Sequence, residues 1–494
     1  MKSGNNKKIA VFCYLSVLLF VCVSPVIAQE EYEKWRKKQQ KALQGFSEEQ
    51  DKQFAEFLKK EWLEMKLMQG MKPVEDPKPV SIPVFVPEDI DKDTTSYQGR
   101  IVEEIPIPGL KPDSLVQFLN KPIPKKMKAE KSVEFDFFGE RLVYYYDVNF
   151  SEITMDKINE NAISKFWEHF SRSNHMDILS QAQEVKNRLN LNDWGYVLLL
   201  RSFGKALFPD LDTHINLFVW FMLSKTGYLA KVGYNENMLF LLLPSNNLLY
   251  GVSYLTFEED RYYLIRFHDQ EVDFHNLFTF KGNYPDAKKR INFKISGALR
   301  MKAQDEERRF RFSYGADEFD IMLNYNRNSI EFYDTFPQTD LDVYFSSSVS
   351  PGTALSLFNA LKPVIEGQTE FEAVNRLLRF VQTSLEYKTD GDQFGKENYL
   401  FVEETLFYTY SDCEDRSILF AYLVRSLLGL HVIGLDYPGH VATAVKFSDE
   451  VNGDNIIYNG SKYVICDPTY INATLGKSMP IVENVKPKVI PILF

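Results

Sequence analysis

The run from Ile418 to Leu428, almost wholly apolar and stopped by Gly429, most constrains what this chain can fold into. A helix that is apolar on every side has no face to offer water, so other elements must wrap it. Directly before it stands Ser411-Asp412-Cys413-Glu414-Asp415-Arg416-Ser417, which puts Cys413 at the helix N-terminus. Free backbone N–H groups and the helix dipole favour an anion there, the placement a nucleophilic thiolate needs.

The residues that follow supply the wrapping. HVIGLDY reads as a strand, Pro438-Gly439 as a turn, and His440 opens a second strand, HVATAVKF. Beyond a polar loop at Asn452-Gly453-Asp454, the strand Lys462-Tyr463-Val464-Ile465 ends in Cys466-Asp467-Pro468-Thr469. The spacing is 27 residues from Cys413 to His440 and 27 again to Asp467. Adjacent antiparallel strands then bring His440 beside Asp467 while the helix delivers Cys413. A thiolate that attacks an amide carbonyl, an imidazole that shuttles the proton and a carboxylate that fixes the imidazole's tautomer require these three residue types.

In order and context the segment resembles the transglutaminase-like superfamily of papain-type cysteine enzymes, over about residues 355–494. The Asp412-Cys413-Glu414-Asp415 core is similar to that of periplasmic bacterial transglutaminase-like cysteine proteinases, and Asp467-Pro468-Thr469 to the close of the wider superfamily. The resemblance implies a catalytic triad of Cys413 as nucleophile, His440 as general base and acid, and Asp467 as orienting carboxylate. Tyr410-Ser411-Asp412 departs from the pattern by replacing a glycine the family often carries before the cysteine.

The Cys413 backbone N–H is the expected oxyanion donor, with Tyr408, Tyr410 and Tyr437 as candidate side-chain donors. His431 reads as structural and Cys466 as a small buried strand residue pointing away from Asp467. Asp412, Glu414 and Asp415 offer oxygen ligands for calcium, as some relatives require. An acidic helix start equally suits the dipole without a metal, so no cofactor is assigned.

The fold class expected for the whole chain is α+β, with β-rich domains ahead of the papain/transglutaminase-like one. At the N-terminus, Lys7 and Lys8 precede an apolar run from Ile9 to Val23, and Val26-Ile27-Ala28 offers a cleavage site, so residues 1–28 read as a signal peptide. A signal anchor is the alternative, although the run is short for a bilayer. Leu19-Phe20-Val21 before Cys22 lacks the small residues of a lipidation site. A periplasmic or secreted protein is therefore expected, with no transmembrane segment after cleavage.

Loss of Lys2, Lys7 and Lys8 moves the formal charge from −11 to −14, which argues against nucleic acid or anionic lipid as partners. Only Cys413 and Cys466 then remain, too few for a disulfide framework.

Residues 29–70 form a charged helical segment with Phe54, Phe57, Leu58, Trp62 and Met65 at helical spacing. Pro73, Pro77, Pro79, Pro83 and Pro87 make 71–95 a stiff linker. Within a β-rich stretch over 96–150, FDFFGERLVYYYDVNF reads as a hairpin. Helical patterns fill Asp156 to Leu189 and Tyr196 to Ala206. In 271–354, ISGALRM, RRFRFSY, FDIMLNY and SIEFYDTF suggest a small antiparallel sandwich or sheet. Phe371, Val374, Leu377, Leu378, Val381 and Leu385 then mark the apolar face of a helix.

Residues 151–270 echo the C-terminal third. Leu217-Phe218-Val219-Trp220 and Gly227 match Leu419-Phe420-Ala421-Tyr422 and Gly429, and Tyr263-Leu264-Ile265 matches Tyr463-Val464-Ile465, at offsets of 200 to 202 residues. On that register the triad positions hold Leu211, Asn237 and Phe267, so this degenerate transglutaminase-like copy is expected to serve as scaffold or recognition surface. Chance likeness of two α/β units is the alternative. His214 has no Cys or His cluster around it, and no zinc motif is present.

The expected function is an exported thiol-dependent hydrolase or acyltransferase acting on protein or peptide amides, cell-wall peptides included. Two alternatives remain: a non-catalytic binding or scaffold protein of the envelope with a vestigial domain, and an adaptor that associates through residues 30–70.

Overall fold

The computed structural model describes residues 45, 47–73, 77–86, 99–103, 131–236, 238–267 and 275–492. The leader expected over 1–28 lies outside these residues, as does Asn237. Among the described residues no helix is long and apolar enough to cross a membrane.

The architecture is mixed α+β. A helix over residues 47–58 leads into strand β1 (Trp62–Lys66). The expected hairpin is present as β2 (Lys131–Phe137) and β3 (Glu140–Tyr146), which turns through Phe138 and Gly139 at φ 46° and 77°. Two consecutive positive φ values match the right-handed twist of the flanking strands. Helices Glu160–Arg172, His175–Leu189, Asp193–Leu207 and Asp212–Lys225 follow. Next come β4 (Lys231–Tyr234), β5 (Leu239–Pro244), β6 (Tyr254–Phe257), β7 (Asp260–Ile265) and β8 (Asn276–Phe280).

A long hairpin of β9 (Asp305–Tyr314) and β10 (Asp317–Asn326) packs on helices Pro351–Ile365 and Glu370–Ser384. The short β11 (Glu386–Tyr387) pairs in parallel with β12 (Tyr410–Ser411). Helix Cys413–Leu423 runs on through a π-helical turn, Val424–Leu428, to Gly429. The chain closes with β13 (His431–Tyr437), β14 (His440–Lys446), β15 (Asn455–Tyr458), β16 (Ser461–Cys466) and β17 (Lys488–Pro491).

Two sheets organise these elements. The upstream sheet has the order β1-β8-β4-β5-β7-β6 and the downstream sheet β17-β13-β14-β16-β15. Apart from the added edge strand β1, they correspond strand for strand. Each is preceded by one apolar helix, and every residue of Cys413–Leu423 is buried, as is every residue from His214 to Ser224. Ile418, Leu419, Phe420 and Leu423 are each at most 1% exposed, and burial of such side chains contributes roughly 1.5–3 kcal/mol apiece before entropy is charged. One continuous apolar cluster reaches from Phe54 to Ile492 across both units.

Four expectations need correction. Trp62 and Met65 are strand residues, because β1 finds the open edge of β8, with Trp62 opposite Phe280 and Met65 opposite Leu277. Tertiary pairing overrides the helical spacing. Of the small antiparallel sandwich or sheet expected over 271–354, what forms is a two-stranded antiparallel sheet, the β9–β10 hairpin. SIEFYDTF is instead mostly the helix Arg327–Tyr333, started by Asn326, whose side chain accepts from the Asn328 N–H. Asn276–Phe280 belongs to the upstream sheet, which therefore extends beyond residue 270.

The fourth is the register of the upstream unit, which slips by one residue. Leu241 faces Ile265 as Thr443 faces Cys466, and Asp212 opens its helix as Cys413 does. The positions matching Cys413, His440 and Asp467 are thus Asp212, Met238 and Arg266 rather than Leu211, Asn237 and Phe267. Leu211 caps the helix, and Phe267 lies under the Arg201 guanidinium at 3.9 Å.

Candidate functional site

Cys413, His440 and Asp467 converge at the N-terminal end of the downstream helix, each placed by a different element. Cys413 is the first residue of its helix, where its N–H has no intrahelical acceptor. Asp415 reaches back to the Asp412 N–H at 3.2 Å and also accepts from the Leu400 N–H at 2.9 Å, which fixes the helix start. His440 opens β14 opposite Tyr437, whose ring lies nearly parallel to the imidazole. Asp467 follows β16, the neighbour of β14.

The imidazole Nε2 and the Asp467 Oδ2 lie 2.8 Å apart. Asp467 Oδ1 is held by the Thr469 N–H at 3.0 Å, the Thr469 hydroxyl at 2.9 Å and the Tyr470 N–H at 3.2 Å. Both carboxylate oxygens are therefore committed, and the ring orientation follows from them. Nδ1 has no hydrogen bond of standard geometry, which leaves it as the nitrogen available to the thiol.

Burial alone would lower the His440 pKa, but the Asp467 carboxylate and the Cys413 sulfur outweigh it and raise the value well above the ordinary one. Burial pushes Asp467 the other way; the His440 charge and the Thr469 donors overcome it and lower its pKa. The two shifts agree on an imidazolium–carboxylate pair. All three side chains are sealed in: Cys413 is 0% exposed, His440 4% and Asp467 2%.

A hydroxyl that sequence reasoning missed touches the sulfur. Tyr387, on β11, has its oxygen 3.7 Å from the Cys413 Sγ. None of the three tyrosines expected as donors takes this place: Tyr408 donates to Asp334, Tyr410 stacks with Lys388, and Tyr437 covers the His440 ring. Burial first, then the neighbouring Cys413, raises the Tyr387 pKa, so the phenol keeps its proton.

Arg416, 0% exposed, bonds the Ser411 hydroxyl and the carbonyls of Gln382 and Leu385. Its guanidinium sits 5.4 Å from the Tyr387 ring centre. It thereby ties β11 to the start of the helix. Gln382 donates to the carbonyls of Asp467, Tyr470 and Ala473, pinning the loop that carries the carboxylate. Neither stood out in the sequence, because Arg416 lies among the polar residues Asp412 to Ser417 and Gln382 one turn from Arg379 and Glu386.

Around Cys413, Asp390, Asp412 and Glu414 bring carboxylate oxygens within 4.8 Å of one another, a geometry able to hold a cation. The Lys78 ammonium already stands among them, 2.9 Å from Asp412, 3.9 Å from Asp390, 2.6 Å from Glu397 and in contact with Glu414. Burial, and then the neighbouring Asp412, push Asp390 up to about 11. Burial and Glu414 push Asp412 up to about 7. Asp390, Asp412 and Glu414 are all raised by burial and by neighbouring carboxylates, so protons as well as the ammonium offset the crowding. Asp415, the third residue expected as a calcium ligand, is instead occupied with the Leu400 and Asp412 N–H groups.

Cys466 is buried on β16, where burial raises its pKa, and it takes no part in the site. His431 lies exposed at the far end of β13, opposite Lys446. In the upstream unit the matched location is an open cleft of about 760 Å³ that includes Arg201, Asp212, His214, Met238 and Arg266. It holds neither thiol nor carboxylate–imidazole pair.

No family model, no curated protein and no solved structure matches the chain.

Proposed function

We propose that the protein is a transglutaminase-like thiol enzyme that cleaves or transfers peptide amides through an acyl intermediate on Cys413. The observation that carries this reading is the committed geometry of His440 between Asp467, itself held by three donors, and the sulfur at the helix N-terminus. A purely structural His–Asp pair would not require a helix-starting cysteine as its third member.

In the reaction the sulfur adds to the amide carbonyl, and the Cys413 N–H, with Tyr387 beside it, faces the developing oxyanion. Collapse breaks the C–N bond as the imidazolium gives its proton to the leaving amine. Water, or a second amine, then attacks the thioester with His440 as base, releasing the acid or new amide and restoring the thiol. Asp467 keeps the ring oriented and charge-compensated throughout. We place this activity in the periplasm or outside the cell, on the strength of the leader-like N-terminus.

The test is the pH dependence of Cys413 alkylation by iodoacetamide, compared between the full chain and its His440→Ala variant. Burial slows both proteins alike and cancels in the ratio. The wild-type rate should change little between about pH 8.5 and pH 6, whereas the variant should lose about tenfold per pH unit. Parallel profiles would overturn the thiolate–imidazolium reading.

A second reading, a non-catalytic binding protein, is favoured by the complete burial of Cys413. It predicts those parallel profiles.

A further inference from the structure

The stretch read as a spacer, residues 77–86, lies across the site. At one end Lys78 enters the pocket of Asp390, Glu397, Asp412 and Glu414, two of which flank Cys413. Next to it the Pro79 carbonyl accepts from the Tyr387 hydroxyl at 2.9 Å, the same hydroxyl that stands against the sulfur. At the other end Val84 forms a parallel bridge with Ile471, on the loop that carries Asp467. There the Phe85 N–H donates to the Ile471 carbonyl at 2.7 Å, and the Ile471 N–H to the Pro83 carbonyl at 3.1 Å. The Phe85 ring packs edge-on against Tyr470. The segment thus spans the three residues from the nucleophile's side to the carboxylate's side.

Its grip is narrow. Val80, Val84 and Val86 are 87%, 56% and 75% exposed, so the apolar grip of the segment rests on the part-buried Ile82 and Phe85. Few buried contacts mean that local opening is inexpensive relative to unfolding. An extended chain held by backbone bonds at one end and a charged side chain in a pocket at the other is how a sheet-edge groove takes a peptide.

Resting on the function proposed above, we propose that the groove over Cys413 is a docking surface for an extended, lysine-bearing polypeptide, and that this chain's own residues 77–86 are its resident occupant. Access to the nucleophile then requires their displacement. A competing polypeptide succeeds by placing an ammonium in the acidic pocket and an extended backbone beside Ile471. Departure of the segment also releases the Tyr387 proton from the Pro79 carbonyl, so the hydroxyl becomes free to donate toward Cys413 or an oxyanion. The upstream cleft is open at the same location and has no nucleophile to guard.

The experiment measures the second-order rate of Cys413 carboxamidomethylation in the full chain at about pH 9, where an ordinary thiol is largely ionised without help. Lys78→Ala and Phe85→Ala are compared with wild type, each also in the His440→Ala background, with circular dichroism confirming the fold. Both variants should react at least about tenfold faster in both backgrounds, because the rate follows the fraction of open molecules. A peptide with the sequence of residues 77–86, added to the Lys78→Ala variant, should restore protection, and the same peptide with glutamate for lysine should not. Unchanged rates in Phe85→Ala and Lys78→Ala, or protection indifferent to the lysine, would overturn the proposal. The His440→Ala background separates the outcomes: loss of the catalytic pair alters the pH profile, whereas the occupant acts with or without it.

Discussion

The upstream and downstream units share a strand order and a buried core helix, yet they treat the N-terminal end of that helix in opposite ways. Upstream it opens into a cleft lined by Arg201, Asp212 and Arg266; downstream it is closed over Cys413 by Lys78 and Pro79. Each unit is also fastened to an earlier piece of chain through a part-buried lysine. In the upstream unit Lys225 binds Asp51 of the 47–58 helix at 2.9 Å, and in the downstream unit Lys78 enters four carboxylates. The same backbone frame therefore carries different chemistry, decided by a few positions at one end of one helix.

The matched positions Asp467 and Arg266 offer the sharpest way to break this comparison. Asp467→Ala leaves the imidazole without its carboxylate in a sealed site. Cleavage of an activated ester such as p-nitrophenyl acetate should fall about 10³–10⁴-fold, and the unfolding free energy by about 3 kcal/mol. Arg266 is exposed, so Arg266→Ala should shift stability by no more than about 0.5 kcal/mol and leave the ester rate alone. Urea unfolding and a burst assay on both variants decide it. Comparable losses at the two positions would mean that the upstream cleft is part of the machinery.

The two lysine anchors come next. Lys225 and Asp51 are 5% and 4% exposed, and Asp51 also accepts from the Tyr284 hydroxyl. Lys225→Met strands one carboxylate in the apolar body and should cost about 3 kcal/mol, read as a drop in melting temperature. Lys78→Met should cost clearly less at pH 6. Two of its carboxylates, Asp412 near 7 and Asp390 near 11, already favour the protonated form at that pH and can take up the loss of the ammonium. Equal costs would show that the segment over Cys413 is an integral part of the fold rather than a removable occupant.

Among the described residues, His440 is the buried imidazole whose pKa is raised, whereas burial lowers those of His175 and His214 in the upstream unit. The His440 pKa is raised in the folded protein, so its contribution to stability is fully present below the unfolded value of about 6.5 and is lost as pH rises through the folded value. Asp467 is lowered, so its contribution holds above about pH 3.9 and fails only on stronger acidification. The melting-temperature gap between wild type and Asp467→Asn should thus be widest between about pH 4 and 6.5 and narrow on the alkaline side. A gap that widens with rising pH would reverse the sign of the His440 shift. Met238 and Arg266, at the matched upstream positions, supply no titration in this range.

Much of the downstream unit was legible because its information is local. An apolar run ending at Gly429, strands opening at His431 and His440, and a strand ending at Cys466 are each written within a few residues, and all formed where expected. Lys78 was illegible for the opposite reason. Its partners Asp412 and Glu414 lie 334 and 336 residues away, and the prolines around it exclude a helix without saying what an extended segment lies on. Trp62 and Met65 satisfied helical spacing, but only the presence of β8 decides that they form a strand. SIEFYDTF is rich in strand-forming residues, and the Asn326 cap turned it into a helix. The one-residue slip in the upstream register has a similar origin: sequence echoes locate a helix and a strand, whereas strand pairing fixes which side chain occupies which place.

Gly227 and Gly429 carry the smallest expected effect and the most direct test of equivalence. Each ends its core helix in the left-handed region, at φ 85° and 66°. A Cβ at Gly429 would meet open space, and at Gly227 the nearest atom is the Lys289 Cε at 3.7 Å, an ordinary contact. Sterics with neighbours therefore cancel from the comparison, and the left-handed backbone is what remains. Alanine there costs about 1–2 kcal/mol, offset by about 0.4–1 kcal/mol from the less flexible unfolded chain. Both substitutions should thus destabilise by about 1 kcal/mol and agree within about 0.5 kcal/mol in chemical denaturation. A neutral Gly227→Ala beside a costly Gly429→Ala would mean that the upstream helix can end in another way. The shared strand order would then describe two sheets that resemble each other without sharing the helix stop that delivers the chain to them.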